Sequence, residues 1–96
     1  MERKVLITAP VHEYLLQQFE QHRYVTDYKP DLNYDELLLT IHNYTGLIIT
    51  TRLLIDKQII GNALNLKFIG RLGSGMEKVD VPYALQKNIQ CFHIIF

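Results

Sequence analysis

Leu47-Ile48-Ile49-Thr50, then Asp56-Lys57-Gln58-Ile59-Ile60-Gly61-Asn62-Ala63, then Phe68-Ile69-Gly70-Arg71 is the stretch that decides the fold. The first segment is short, β-branched in part, and apolar at successive positions, so both of its faces ask for burial. In the second, Asp56 suits a helix N-cap and Ile59 and Ile60 form the buried side. The third is another apolar strand. A two-sided apolar strand, a crossover helix and a second such strand make a parallel unit, whose sheet must be covered by helices on both faces.

The same alternation continues outward in both directions. Lys4 to Thr8 reads as a short buried strand closed by Pro10, and Val11 to His22 as a helix. Leu15, Leu16 and Phe19 share that helix's apolar face, with Gln17, Gln18 and Gln21 on the other. Tyr24 to Tyr28 reads as an edge strand broken by Lys29-Pro30-Asp31. Asn33 with Glu36 three residues on has capping-box spacing. Leu37, Leu38 and Ile41 then form a helical stripe that ends across Asn43 to Gly46. On the C-terminal side, Gly73-Ser74-Gly75 is a loop, and Asp80 caps a short helix with Pro82 in its first turn. Asn88 suits a left-handed stop, and Ile89 to Phe96 reads as a fifth strand.

The expected fold is therefore α/β, a flavodoxin-like parallel five-stranded sheet of order 2-1-3-4-5. Right-handed crossovers place the first helix on one face and the other three on the opposite face. No helix follows the fifth strand, so the closing C-terminal helix is lacking. Alternate residues of Leu47 to Ile49, of Phe68 and Ile69, and of Phe92 to Phe96 are then expected to face solvent, and self-association to follow.

Composition narrows the function. The 96 residues suffice for one domain, spanning residues 1–96. Ten basic and ten acidic residues cancel, which argues against a general nucleic-acid or anionic-membrane binder. Near-zero charge also leaves little electrostatic brake on association. A lone cysteine, Cys91, excludes an internal disulfide and fits a cytoplasmic protein. The N-terminal apolar run is too short for a signal peptide, and no run approaches the length of a membrane span.

In an open parallel sheet, ligands sit at the carboxyl ends of the strands, beside the switch in strand order. For order 2-1-3-4-5, Thr8-Ala9-Pro10, Thr50-Thr51-Arg52 and Leu72-Gly73-Ser74-Gly75 converge there. Gly73, Ser74 and Gly75 are either a tight turn or a nest of N–H groups for carboxylate or phosphate oxygens. Ser74 would add a hydroxyl, and Arg52 or Arg71 positive charge. His93 and Cys91 lie in an apolar strand and read as a packed histidine and an inert buried thiol. His12, His22 and His42 have no metal-ligand spacing, and no HExxH, CxxC or nucleophile elbow is present. A response-regulator receiver would need acids where Thr8-Ala9 and Thr50-Thr51 stand. A flavodoxin would need a hydroxyl- and glycine-rich loop where Thr8-Ala9-Pro10-Val11-His12 stands.

Asn65 to Asp80, running NLKFIGRLGSGMEKVD, resembles the NLK-x-I-x-R-x-G-x-G-x-[DE]-x-[IV]-D block of D-isomer-specific 2-hydroxyacid dehydrogenases, a family that includes phosphoglycerate dehydrogenases. Val81 to Gln90 is similar to that family's A-x-x-x-G-I segment, with Asn88 where glycine is usual, and Gly46 to Thr51 to its G-L-I-V-R-S strand end. The resemblance runs from about Lys4 to Phe92. It implies oxidation or reduction of a 2-hydroxy or 2-keto acid with NAD as cofactor. It further implies a substrate carboxylate held at Ser74-Gly75, with Thr50, Thr51 and Arg52 beside the substrate. Thr50 departs from the family's frequent arginine. The family's catalytic Arg, Glu and His and its GxGxxG loop come from a cofactor domain, and none of those motifs occurs here. After Cys91-Phe92 the family continues with Asn, a small residue and Pro, whereas this chain reads His93-Ile94-Ile95-Phe96. The expectation is a truncated substrate-binding domain, inactive alone, that holds a small 2-hydroxy or 2-keto acid weakly. The alternative is a non-catalytic protein-interaction module on the same fold.

Overall fold

A computed structural model describes residues 3–73 and 75–94. The elements are β1 (Lys4–Ile7), α1 (Glu13–Gln21), β2 (Val25–Tyr28), α2 (Tyr34–Thr40) with a 3-10 turn over Ile41–Asn43, β3 (Gly46–Ile49), α3 (Lys57–Asn62), β4 (Phe68–Leu72), α4 (Val81–Gln86) and β5 (Gln90–Ile94). All strand pairs are parallel and the order is β2-β1-β3-β4-β5, as the sequence pattern requires.

The caps explain where the helices begin. Asn33 and Glu36 form the full capping box on α2, each accepting from the other's backbone N–H. Asp56 accepts from the N–H of Ile59, and Asp80 from that of Tyr83. Such caps are each worth about 1 kcal/mol. Three starts move inward from the sequence expectation. α1 starts at Glu13, not Val11, because the His12 ring accepts from the Tyr14 N–H at 3.0 Å and so serves as N-cap. β2 starts at Val25, not Tyr24, because α1 closes through the Tyr24 N–H on Phe19 O at 2.9 Å, with Arg23 in the left-handed region at φ 66°. β5 likewise starts at Gln90, since the Ile89 N–H still donates to Ala84 O of α4. Asn88 does take the left-handed conformation, at φ 62°.

Strand alternation sends side chains to two cores. Leu6, Leu47, Ile49 and Ile69 pack with Leu37, Ile59, Ile60 and Ala84 of α2, α3 and α4. Val5, Ile7 and Ile48 pack on the opposite face with Leu15, and Leu16 and Phe19 of α1 lie against them. Fully burying one such aliphatic side chain stabilises by about 1.5–3 kcal/mol.

The expectation of a broadly bare sheet face needs correction. Leu47, Ile48, Ile49 and Ile69 are all fully buried. On the α1 face the aromatic rings extend the cover. Phe19 stacks on Phe68 at 6.3 Å between centroids, Tyr24 meets Phe68 edge-on at 5.9 Å, and Phe92 continues the row at 5.8 Å. The Phe68 ring occupies the space a side chain at Gly46, its register partner, would need. Only Phe92 of that row is exposed, at 41%. Ile95 and Phe96 lie outside the described residues.

Candidate carboxylate site at the strand ends

Three strand ends meet where the sequence places a ligand. At the end of β1, Thr8 is buried and donates its hydroxyl to Ile48 O at 2.9 Å, while its own N–H donates to the same carbonyl at 3.1 Å. This sews β1 to β3 and leaves the Thr8 carbonyl pointing outward. Arg52, just past β3, takes that carbonyl. Its guanidinium donates to Thr8 O and to Leu32 O, each at 2.6 Å. Charge-assisted bonds this short are the stronger kind. Arg52 is thus committed to clamping the β1 and β2 exits onto the β3 exit. The Thr50 hydroxyl accepts from the Arg52 N–H at 3.5 Å, and Thr51 is exposed at the same turn. An open depression of about 390 Å³ beside Leu32 is lined by Lys29, Pro30, Asp31, Leu32 and Glu36. It includes none of the residues singled out from the sequence.

The β4 exit is different in kind. Gly73 and Gly75 both have positive φ, 100° and 96°. Only glycine takes such angles without steric cost, which suits these two positions to a turn. The Gly73 N–H is anchored to Ile94 O at 3.3 Å. The N–H of Gly75 donates to no described residue. Ser74, the third residue of the expected site, lies outside the described residues. Beyond the turn, Ile55 and Val79 form a parallel bridge, with the Ile55 N–H on Lys78 O at 2.8 Å and the Asp80 N–H on Ile55 O at 3.0 Å. The loop is therefore pinned on both sides.

Arg71 supplies charge beneath it. This residue is only 6% exposed, and its guanidinium folds back to donate to Leu72 O, taking the space that a side chain at Gly73 would need. Among the described residues no carboxylate pairs with it. A buried guanidinium without a counter-ion is costly to maintain. Glu77 is the nearest acid to the turn; its carboxylate fills the space a side chain at Gly75 would take.

His93 was read from the sequence as a packed histidine and is not one. It is exposed, and its Nδ1 lies 3.1 Å from Gly73 O. A carbonyl only accepts, so the proton sits on Nδ1. The strand is an edge, and the alternation that buries Cys91 in part leaves His93 at the rim. Cys91 is half-buried, and burial pushes its thiol up, in keeping with an inert cysteine.

Comparison with known proteins agrees with this architecture. Residues 5–96 match the family model described as D-isomer specific 2-hydroxyacid dehydrogenase, catalytic domain. A D-3-phosphoglycerate dehydrogenase of Archaeoglobus fulgidus is 28% identical over 86 residues, covering 90% of this chain and 16% of the relative. A crystal structure of a protein from Pyrococcus horikoshii OT3 superimposes with a TM-score of 0.90 at 20% identity, covering 98% of this chain and 28% of that one. The NAD+-bound 3-phosphoglycerate dehydrogenase of Entamoeba histolytica superimposes with a TM-score of 0.80 at 19% identity, covering 97% and 33%. The chain spans less than a third of the length of the first two of these proteins and 33% of the third. With its family motif on the β4 exit, its strand order and its matched length, the chain belongs to the D-isomer specific 2-hydroxyacid dehydrogenase family, within the catalytic-domain region.

Proposed function

We propose that residues 1–96 are the carboxylate-holding part of the substrate domain of an NAD-dependent oxidoreductase. Its substrates would be D-2-hydroxy acids of the phosphoglycerate dehydrogenase type, and its setting the cytoplasm. One observation carries the reading. At the end of β4 two left-handed glycines turn the backbone over a buried Arg71 that has no described carboxylate partner. That arrangement offers the Gly75 N–H and a positive charge to a small anion, which would compete with the Glu77 carboxylate beside the turn. Gly73, Ser74 and Gly75 would line the anion, and Thr50 and Thr51 would border the rest of the substrate. Arg52 would hold the neighbouring strand ends in place.

NAD does not fit these residues as its own cradle. The exit of β1 reads Thr8-Ala9-Pro10-Val11-His12, without the glycines that let a pyrophosphate approach, and the N-terminus of α1 is capped by the His12 ring. When bound elsewhere, the cofactor supplies the hydride; these residues bind and orient the acid. The chain alone is then a binder and not a catalyst.

The test compares pyruvate with pyruvamide, in which the carboxylate is replaced by a neutral amide. Ligand-observed NMR should show pyruvate binding weakly, on the order of millimolar, and pyruvamide not at all. NADH with pyruvate should show no protein-dependent loss of cofactor absorbance. Equal binding of both ligands, or of neither, would contradict the reading.

A further inference from the structure

We infer that His93 is a positioning residue of the β4-exit loop and a second source of positive charge there, so that carboxylate binding strengthens as His93 gains a proton. The inference rests on the carboxylate reading above and adds to it a residue and a pH response.

Three observations converge. The His93 Nδ1–H donates to Gly73 O at 3.1 Å, across 20 residues of sequence. The Gly73 N–H donates to Ile94 O at 3.3 Å. The end of β5 therefore holds both the donor and the acceptor of the Gly73 residue, one by backbone and one by side chain. Finally, Arg71 and His93 are register partners on β4 and β5, so both side chains leave the sheet on the same face. The two side chains thus hold successive carbonyls leading into the turn, Arg71 that of Leu72 and His93 that of Gly73. Neither has a carboxylate partner among the described residues.

The groups that face His93 set the sign. From β4 it is Arg71. α4, which packs on β5, carries Tyr83, whose ring lies under the ammonium groups of Lys57 and Lys87. Asp80 caps α4 and accepts from the Tyr83 N–H at 3.2 Å, which directs its carboxylate into the helix. From the loop, Glu77 lies against Gly75, with Lys78 beside it in sequence. On β5 itself, Cys91 is held as a thiol by burial. Protonation of His93 at Nε2 leaves the Nδ1 bond to Gly73 O in place and strengthens it. It adds a positive charge at the rim of the same turn. A simple carboxylate such as pyruvate stays ionised throughout, so affinity should rise as pH falls.

The test follows pyruvate binding by the Gly75 amide resonance, at about pH 5.5 and at about pH 8, the range over which histidines change charge. The parent chain should bind about threefold to tenfold more tightly at the lower pH, a range reduced by solvent screening at the exposed ring. His93→Gln keeps a side-chain N–H for Gly73 O and carries no charge. It should bind with the parent's high-pH affinity at both values. His93→Ala lacks the donor and should bind more weakly than His93→Gln at both. His93 is exposed, so both variants should retain the amide spectrum of the fold. Equal affinity of the parent at both pH values would overturn the His93 inference while leaving the carboxylate site standing. So would a pH response that persists in His93→Gln. Absence of pyruvate binding at either pH would remove the carboxylate reading and this inference with it.

Discussion

Arg71 and His93 stand opposite one another in register on β4 and β5, and they donate to successive carbonyls, Arg71 to Leu72 O and His93 to Gly73 O. The pairing places one buried and one exposed nitrogenous side chain beside a turn whose Gly75 N–H donates to no described residue. Neither strand alone specifies this. It arises because parallel neighbours in register send side chains to the same face.

Replacing Arg71 should separate stability from binding. Arg71→Met removes a buried charge that no described acid offsets and keeps most of the packing volume. We expect thermal stability equal to the parent's or higher by about 1 kcal/mol, since apolar replacements of buried charges are often neutral or stabilising. Pyruvate affinity should fall at least about tenfold, one charge-assisted interaction's worth. Thermal unfolding and an NMR titration on the same variant would check both. A variant that is strongly destabilised would show that Arg71 serves packing alone.

Gly75 should tolerate nothing larger. Its φ of 96° and the Glu77 carboxylate in the place of a Cβ both oppose a side chain. Gly75→Ala should cost about 1–2 kcal/mol in denaturant unfolding. It should also abolish pyruvate binding. Glu77→Gln should do the reverse for the ligand, raising affinity severalfold by removing the anion nearest the turn. Calorimetric titration would read both changes.

Much of the fold was legible because it rests on local signals. Asn33 with Glu36, Asp56 and Asp80 mark helix starts through their own side chains, and Asn88 marks a stop through its tolerance of the left-handed region. The apolar strands between them leave little choice but a parallel sheet covered on both faces. The positive φ of Gly73 and Gly75 was legible for the same reason, since glycines tolerate backbone angles that other residues avoid. What remained hidden depends on partners far apart in sequence. Arg52 reaches Leu32 O and Thr8 O, 20 and 44 residues away, and no spacing rule announces a clamp. His93 sits in an apolar run of a strand whose edge position the expected order gave, but periodicity cannot say which of its residues the rim leaves exposed. The cover that Phe19, Tyr24, Phe68 and Phe92 give to the α1 face also escaped a count of helices, because aromatic rings spread laterally beyond the helix that carries the first of them.

The Tyr44–Asp27 bond should shape alkaline stability. Tyr44 is 3% exposed and donates its hydroxyl to Asp27 Oδ2 at 2.7 Å, tying the end of the 3-10 turn to β2. Burial first, and then the hydrogen bond and charge of Asp27, raise the phenol well above its ordinary range. Because the folded state holds this proton more tightly than the unfolded state, the contribution is complete below the unfolded value. It is lost as pH rises beyond about 10. Tyr44→Phe should lose about 1–2 kcal/mol at neutral pH, since Asp27 is left without its donor. Its stability should then decline less steeply above about pH 10 than the parent's. Urea unfolding at a series of pH values would measure the slope.

Association should run through the rim of the α1 face. Phe92 is 41% exposed, Leu72 and Ile94 are half-buried beside it, and β5 carries no acidic or basic side chain from Gln90 to Ile94 apart from His93. With a net charge of zero, little opposes contact between copies. We expect concentration-dependent dimerisation, shifted towards monomer by Phe92→Lys. Sedimentation equilibrium of parent and variant decides the point; a parent that stays monomeric at all concentrations contradicts it.

The central claim is that the β4-exit turn holds a carboxylate. Its most direct test is an amide chemical-shift titration of the isotope-labelled chain with pyruvate at neutral pH. The Gly73 and Gly75 amides should move together and saturate at about millimolar ligand, with the amides of β2 unmoved. Resonances of Gly73 and Gly75 that stay fixed while pyruvate is raised well beyond that range would contradict it.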